Sequence, residues 1–595
     1  MPLVVANHSP HPFVGWKRVV VDRIPPFESG KAPDGTLWVY ARAAGLSTVH
    51  LDVRVTLEPG EQREIDVANS EKAEFKLPPL PPHLLDWFGG VPNIEGVPMA
   101  WVGGEVEGAC YSARFRWRSG TLLVADMWVR WYPDTPSTAT GEIVVSASNP
   151  DVPLLSLQVQ DDLTLSWGSA YVMVPGKRDG VLMDAGEHLG DGQARSFPFT
   201  LHWANRATHA ADWNHAKALA SHMVVGHGVT KIYPQGNPVW HRQDDAVADS
   251  VGDLSTALQR VASYEAGPLG VTKASTVSGA QEDQMFPGCH AMHHGSGQAE
   301  ARYLTALRQS LRPCHHLEAT GDHLDLSNHP QLVFWDARPH WHRGVSPDRL
   351  GKPRDPMGNE LNGWWGPDVE HALCQTLTLA ARLTPSHALQ WQLEHWARIY
   401  QLQWTTKTGL STTQPFAARA IGYEGFLAVN LWDALWDREL AEQVRAHWVE
   451  RFQRVLQPAL QSKWRDIWDV RLDDPRLGAG LWWIPWQQSL GAYGLSLAGR
   501  MFSVPAAREI GLRSAMRVVE DAWIKQGERW VSKAQMSATD LSLSPADESF
   551  NQFGMCMAPA TVLASEPNNA KCASIMQQLK ADIWNARKWI PPEVV

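Results

Sequence analysis

The chain has 595 residues, of which 53 are Lys or Arg and 63 are Asp or Glu, so its formal net charge at pH 7 is −10. A chain of this length exceeds the usual size of one hydrophobic core, so we expect at least two domains. The acidic balance, with no block of basic residues, argues against a nucleic-acid-binding protein, and no apolar run reaches the roughly 18 residues of a membrane-spanning helix.

The N-terminal third carries the alternation of apolar and polar residues that is typical of β-strands. Residues 50–57 show it most clearly, with leucines and valines on one face and Asp52, Arg54 and Thr56 on the other. A Pro-Gly turn follows, so we expect residues 63–67 to return as the hairpin partner. Further strands are expected at 17–24, 36–42, 122–132, 142–147, 154–159 and 170–174. This pattern predicts an antiparallel β-sandwich or barrel over residues 1–210.

From Trp213 onward the apolar residues recur with the helical period. The clearest helical segments are 299–311, 369–383, 388–405, 424–436, 440–456, 481–502, 506–525 and 551–563. Several are joined by short loops with Pro or Ser, which suit helix starts. Serial helical hairpins without a fixed short repeat favour an α/α toroid over a solenoid. We therefore expect a toroid domain over 211–595, with a loop-rich segment at 270–360.

Histidines concentrate in one stretch, residues 287–343, which holds nine of the chain's 24. Neutral imidazoles can bind metals or move protons near neutral pH. A zinc site would draw on these histidines with Cys289 or Cys314, but the spacings match neither HExxH nor paired CxxC motifs. We expect no metal and no other cofactor. The candidate catalytic residues here are His315, His316 and His340, and the candidate ligand-binding residues are His290, His293, His294, Asp336 and His342.

Tryptophan is unusually frequent, with 30 residues, and an indole offers a flat face and one N–H donor to a sugar ring. Two further clusters combine tryptophans with polar residues, although helix starts and core packing would also explain both. The first comprises Trp364 and Trp365 as stacking residues, with Asp368, Glu370 and His371 as catalytic candidates. The second comprises the ligand-binding candidates Trp482, Trp483 and Trp486 at a helix entry. The separate segment 419–424 opens another helix in the same way and supplies the ligand-binding candidates Tyr423 and Glu424. By contrast, Trp432 with Trp436, and Trp464 with Trp468, sit four residues apart and are expected to be packing residues.

Short segments of the chain resemble carbohydrate-active proteins that join a β-domain to an α/α toroid, in particular the exo-rhamnogalacturonan-lyase-like group. They are Pro-Phe-Val-Gly-Trp at 12–16, Arg-Pro-Cys-His-His-Leu-Glu at 312–318, Asp-Ala-Arg-Pro-His-Trp-His at 336–342 and Asp-Val-Glu-His at 368–371. The resemblance implies a carbohydrate-related function. It transfers no catalytic residue, because no complete motif matches.

The N-terminal residues 1–8 have no basic region followed by an apolar stretch, so we expect synthesis in a cytoplasm without a secretory signal. A bacteriophage tail or baseplate protein fits such an origin. The favoured hypothesis is a virion component that contacts a host-surface glycan, with other virion proteins as partners in a symmetric homo-oligomer. The alternatives are a cytoplasmic polysaccharide lyase or glycoside hydrolase, and a scaffold with a vestigial pocket.

Overall fold

The computed structural model describes residues 2–228, apart from 23–26, 47, 81–84, 86–88, 121–122, 148–155, 191–193, 208–210 and 222–223. It also describes the short strands at 239–240, 333–335 and 340–342 and the single positions 378, 381 and 382. From 384 to 590 it describes the chain apart from 405, 407–417, 462–465, 469, 473–479, 534, 542–554 and 587–588. No helix in these ranges is long and apolar enough to cross a membrane.

Strands dominate the described residues of the N-terminal part. The strands are β1 (Pro2–Asn7), β2 (Phe13–Val21), β3 (Ser29–Lys31), β4 (Leu37–Ala43), β5 (Val49–Leu57), β6 (Gln62–Asp66), β7 (Glu71–Lys72), β8 (Asn93–Ile94), β9 (Val97–Pro98), β10 (Ala100–Glu107), β11 (Cys110–Ser119), β12 (Leu123–Trp131), β13 (Thr138–Ala147), β14 (Ser156–Gln158), β15 (Leu163–Ser166), β16 (Tyr171–Met173), β17 (Val181–Met183), β18 (His188–Gly190), β19 (Ala194–His202) and β20 (Val224–Gly228). Helix α1 (Ala211–Ala220) lies between β19 and β20.

The first sheet has eight strands in the order β6-β1-β20-β2-β5-β4-β3-β7. Strand β5 confirms the predicted strand at 50–57, and its leucines and valines lie in the apolar core. The predicted hairpin with 63–67 is wrong, because β6 pairs with β1 instead, with Pro2 opposite Asp66. The sheet takes in chain beyond residue 210, since β20 pairs with β1 and β2. Among the described strands, β2 and β20 form the one parallel pair.

The second sheet has six strands in the order β10-β11-β12-β13-β19-β16. Strands β10 to β13 follow one another as antiparallel hairpins, which is the simplest way to connect neighbouring strands. A small sheet, β17-β15-β8-β9, contributes Leu163, Leu165 and Leu182 to the same apolar core as Phe115 and Met127 of the large sheet. Predominantly antiparallel sheets therefore make up the N-terminal part, while closure into a sandwich or barrel stays a prediction.

Helices dominate the C-terminal part. They are α2 (His387–Gln403), α3 (Ala418–Ala434), α4 (Arg438–Arg451), α5 (Gln457–Gln461), α6 (Pro485–Met501), α7 (Pro505–Ala522), α8 (Met557–Leu563) and α9 (Ala570–Ala586), with a π-helical segment, Phe452–Leu456, between α4 and α5. The short strands are β21 (Val239–Trp240), β22 (Val333–Trp335), β23 (His340–His342), β24 (Val470–Leu472), β25 (Leu481–Trp483), β26 (Trp523–Gln526), β27 (Arg529–Ser532), β28 (Met536–Ser537) and β29 (Trp589–Ile590). The helix predicted at 481–502 begins later than expected, because its first residues form β25 and Pro485 occupies the first helical position.

Helices α3 and α6 are in backbone contact through glycines. A Cβ on Gly491 would collide with the carbonyl of Ala418, and one on Gly494 with that of Gly422. Gly425 faces Gly494 in turn. The contacts advance in the same direction along both helices, so the two helices run parallel.

Burial separates inner from outer helices. Helix α3 buries 14 of its 17 residues and α6 buries 13 of 17, whereas α4, which lies between them in the chain, buries 5 of 14. Parallel inner helices joined through an outer helix are typical of α/α toroids. Closure of the ring stays a prediction, as does the division at residue 210, and almost all of the loop-rich segment 270–360 lies outside the described residues.

The sheets and the helices meet across a polar junction. The Glu142 carboxylate of β13 accepts hydrogen bonds from Ser386 Oγ at 3.0 Å and from the Ala388 N–H at 3.1 Å. This carboxylate therefore lies at the positive end of α2, where anions are favoured. Arg382 bridges the two parts in a second place, with Asp433 at 2.6 Å and Asp22 at 3.6 Å.

Candidate functional site

Most of the predicted site residues lie outside the described residues. They are His290, His293, His294, His315, His316, Asp336, Trp364, Trp365, Asp368, Glu370 and His371. His340 and His342 belong to β23, which pairs with β22, with His342 opposite Val333. The roles assigned to all of these residues stay predictions.

Three of the described candidates lie at one end of the inner helices. Trp482 is in β25, directly before α6, and Trp486 is in the first turn of α6. The Arg419 guanidinium, in the first turn of α3, lies 5.7 Å from the centre of the Trp486 ring, within cation–π range. Tyr423 is one turn further along α3. We call these four half-buried residues, Arg419, Tyr423, Trp482 and Trp486, the helix-end platform.

The parallel packing of α3 and α6 explains why the platform forms. Because the glycine contact starts at Ala418 and Gly491, the first turns of both helices lie at the same end. Trp486 comes from the start of α6, and Trp482 comes from β25, the strand that leads into α6. Two predicted ligand-binding tryptophans and Tyr423 are thus brought to one end of the helix pair.

Trp483 has a different environment from its neighbour Trp482. It is fully buried, and its indole N–H donates to Gln488 Oε1 at 2.8 Å. Gln488 is itself fully buried and donates to Ser514 Oγ at 2.8 Å. An indole enclosed in this way has no open face for a sugar ring, so packing is favoured for Trp483, and its predicted binding role has no structural support.

Glu424 is also buried, at 1% exposure, and forms an ion pair with Arg451. The Arg451 Nε–Glu424 Oε1 distance is 2.7 Å, and the Tyr400 hydroxyl donates to the same oxygen at 3.4 Å. Burial raises the pKa of the Glu424 carboxyl, and the two hydrogen-bond donors oppose that rise. The geometry ties α3 to α4 and α2, so a packing role is favoured for Glu424, and its predicted binding role has no structural support.

The packing role predicted for four tryptophans is confirmed for the three that the structure describes. Trp432 and Trp436 pack against the helical core, and Trp468 is buried at 2% exposure. The Trp432 indole N–H also donates to Glu442 at 2.8 Å. Trp464 lies outside the described residues.

A cleft lies where the six-stranded sheet meets α2, and none of its residues was predicted as a site residue. This cleft has a volume of about 290 Å³. We call it the junction cleft, and its lining consists of Arg42, Gly103, Gly104, Glu105, Ser112, Ala113, Arg114, Trp128 and His387.

Trp128 fixes two polar side chains of the junction cleft. The Arg114 guanidinium lies 5.3 Å from its ring centre, and the His387 ring is nearly parallel to the indole at 5.8 Å. His387 is the first residue of α2, after the N-cap Ser386, whose hydroxyl accepts from Leu389 N–H. The His387 ring also packs edge-on against Trp436 at 5.1 Å.

A network of buried charges lies behind the cleft. Arg18 binds Asp52 through two hydrogen bonds of 2.9 Å and approaches Glu107 to 2.6 Å. The Tyr132 hydroxyl donates to Asp52 at 2.8 Å, and Arg42 lies 3.5 Å from Glu107. Burial alone would raise the pKa of Glu107, but Arg18 and other nearby cations lower it well below its ordinary value. Glu107 is therefore ionised and paired with Arg18.

Two histidines at this junction are neutral. Burial lowers the pKa of His50 and of His387 well below the ordinary value, and nearby arginines, Arg18 and Arg130 among them, lower both further. A neutral imidazole can both donate and accept a hydrogen bond. His387 thus brings a neutral polar group to a cleft whose other titratable groups are two arginines and one glutamate.

The described residues contain no group of three or more His, Cys, Asp or Glu side chains placed to hold a metal ion. Most of the histidine-rich stretch lies outside them, so the expected absence of a metal stays a prediction.

No family model matches the chain, and no curated protein matches it. Among solved structures it is similar to the crystal structure of a family 76 glycoside hydrolase from a bovine strain of Bacteroides thetaiotaomicron, at 10% sequence identity and a TM-score of 0.31. The match covers 80% of this chain and 87% of the hydrolase chain. At that TM-score, neither the activity nor the site of the hydrolase can be transferred to this chain.

Proposed function

We propose that the chain is a carbohydrate-binding protein and that the helix-end platform holds the sugar. The observation that carries the proposal is the convergence of Arg419, Tyr423 and Trp486 at the common end of two parallel inner helices, next to Trp482. All four are half-buried, so part of each side chain reaches solvent while the rest is fixed by packing.

The chemistry of these side chains suits a sugar. A pyranose has a face of C–H groups and an equator of hydroxyls, and an indole or phenol ring offers a flat apolar surface with one polar group. A guanidinium adds several N–H donors in a fixed plane. Rings held by packing lose little rotamer freedom on binding, which favours affinity.

Recognition has more support than catalysis in the described residues. Most glycosidases need two carboxylates on either side of the scissile bond. Glu424, the carboxylate next to Tyr423, is buried and paired with Arg451. The catalytic candidates Asp368, Glu370 and His371 lie outside the described residues, so hydrolase or lyase activity stays a prediction, as does a place in a virion.

A binding screen with a matched control tests the proposal. The full chain is applied to a panel of neutral and acidic oligosaccharides, and the tightest ligand is then titrated calorimetrically. Trp486→Ala should weaken binding by about 5- to 150-fold, by analogy with the roughly 1–3 kcal/mol of base–aromatic stacking. Trp213→Ala is the control, because Lys217 also lies 5.7 Å from the Trp213 ring, and Trp213 is 37% exposed on α1.

The proposal fails if the chain binds no saccharide of the panel. It also fails if Trp486→Ala binds as tightly as the unmodified chain. Equal losses in Trp486→Ala and Trp213→Ala would point to a general effect on the fold and would contradict a site at the platform.

A further inference from the structure

The junction cleft is separate from the helix-end platform and is formed by other elements. Its floor is β10 and β11, its wall is Trp128 of β12, and its rim carries Arg42 of β4 and His387 of α2. We propose that this cleft is a second binding site, for a small ligand that carries an oxyanion such as a carboxylate or a sulfate.

The charges that face the cleft favour an anion. Its lining contains two guanidinium groups, Arg42 and Arg114, against one carboxylate, Glu105. The guanidinium side chains are 33% and 36% exposed, so both reach the mouth of the cleft. Glu105 is exposed on the edge strand β10, where water screens its charge.

Neither arginine is fully neutralised by its protein partner. Asp126 accepts from Arg114 Nη2 at 2.9 Å and from Arg116 Nε at 3.1 Å, so one carboxylate serves two guanidiniums. Glu107 is likewise shared, and it lies closer to Arg18, at 2.6 Å, than to Arg42, at 3.5 Å. Within the described residues Arg114 uses Nε and Nη2 on Asp126, which leaves Nη1 for a ligand oxygen.

The floor of the cleft allows a ligand to approach the backbone. A Cβ built on Gly103 would meet no atom within 4 Å, and the Gly103 backbone is not in the left-handed region. Neither strain nor crowding therefore requires glycine at this position. Glycine inside a strand often marks a bulge or a place where a ligand comes close to the backbone, and the β10–β11 register shifts between Trp101 and Gly103. The bulge and the open space above Gly103 together leave its backbone accessible from the cleft. Gly104 differs, because a Cβ there would lie 2.8 Å from the Trp101 ring.

Ser112 and His387 complete the polar surface. Ser112 lies opposite Glu105 in the β10–β11 register and is 8% exposed. Trp128 holds Arg114 and His387 against its ring, so these two groups are oriented before a ligand arrives. A volume of about 290 Å³ admits a monosaccharide-sized molecule.

The test uses three probes on the full chain: glucuronate, glucose and sodium sulfate, each titrated at low ionic strength. Glucuronate should bind and glucose should bind at least about tenfold more weakly, since charge-assisted hydrogen bonds are the stronger ones. If sulfate binds as well as glucuronate, the site recognises a free oxyanion; if glucuronate is tighter, the site recognises an acidic sugar. Both results support the oxyanion site.

Substitutions in its lining test whether the ligand binds in the junction cleft. Gly103→Val should leave the melting temperature nearly unchanged and weaken glucuronate and sulfate binding at least about tenfold, because a Cβ at this position meets no protein atom within 4 Å and the added side chain takes up space at the lining of the cleft. Arg114→Gln should weaken both ligands similarly, whereas Glu105→Gln should tighten them. Arg178→Gln is the control, since it removes an exposed arginine from another part of the fold.

Glucose binding as tight as glucuronate binding would overturn the proposal, as would the failure of all three probes to bind. Full affinity in a folded Gly103→Val would also overturn it. Trp486→Ala should have no effect on these titrations, so the failure of this site and that of the helix-end platform can be told apart.

Discussion

The sheets and the helices of this chain are held together by different kinds of buried contact. At the junction of the two sheets, Arg18, Asp52 and Glu107 are buried as a paired charge network. In the helical part, Gly422 and Gly494 bring α3 and α6 into backbone contact. The network depends on each partner being present, whereas the glycine contact depends on the absence of side chains. The two regions should therefore respond to different kinds of substitution.

The largest expected effect comes from breaking the charge network. Arg18→Met removes the cation that binds Asp52 and that, among the described residues, lies closest to Glu107, and it leaves two buried carboxylates without adequate compensation. We expect a loss of about 3–5 kcal/mol in the free energy of unfolding, measured with urea. Arg178→Met is the control, because its pair with Asp162 is exposed and screened by water, so its loss should leave the free energy of unfolding nearly unchanged. Similar losses of unfolding free energy in both variants would contradict the claim that burial makes the Arg18 ion pairs important for stability.

The next effect comes from filling the glycine contact. Gly494→Ala places a methyl group against the Gly422 backbone, which cannot move without shifting α3. We expect a loss of roughly 2–3 kcal/mol, as in other overpacked cores. Gly103→Ala is the matched control, since its methyl group enters open space and should change stability by less than about 1 kcal/mol. An unchanged free energy of unfolding in Gly494→Ala would show that the helices are not in backbone contact.

A smaller effect concerns pH and the helix α1 that packs on the first sheet. Burial lowers the pKa of His215 from 6.5 to about 4, so the folded state holds this imidazole neutral. Below pH 6.5 the unfolded chain binds a proton that the folded chain does not, and stability falls as the pH decreases toward 4. From pH 7 to pH 5 this histidine should cost about 2 kcal/mol.

His215→Gln tests that effect, because glutamine cannot take up the proton. Urea unfolding at pH 7 and pH 5 should show a difference about 2 kcal/mol smaller in His215→Gln than in the unmodified chain. An identical pH dependence would mean that His215 titrates normally in the folded protein. The lowered pKa values of His50 and His387 should reduce stability at low pH in the same direction, but both histidines remain in both proteins, so their effects cancel in the comparison.

Local patterns predicted the elements better than they predicted the pairings. The alternation at 50–57 identified β5, but the polar face of that strand is not uniformly solvated. Asp52 is fully buried because Arg18 lies across the sheet from it, whereas Arg54 is 58% exposed. The pairing of β6 with β1 was also missed, because it joins segments that are far apart in the sequence, and a local pattern does not show which distant strand is the partner.

The two sites differ in how far they could be predicted. The helix-end platform contains residues that stood out as clusters, because Trp482 and Trp486 are close in sequence and flank a helix start. The same clustering could not distinguish the buried Trp483 from its neighbour. The junction cleft joins Arg42, Gly103, Trp128 and His387, which are separated by tens to hundreds of residues. The pair of glycines inside β10 is too weak a pattern to predict a site from the sequence.

The most direct test of carbohydrate binding at the platform is to follow the indole N–H resonances of the tryptophan-labelled chain during titration with the tightest oligosaccharide. The resonances of Trp482, Trp483, Trp486 and Trp213 are assigned with single Trp→Phe variants. We predict shifts for Trp482 and Trp486, and none for the buried Trp483 or for Trp213 on α1. Saturable binding that leaves the Trp482 and Trp486 resonances unmoved would contradict the account.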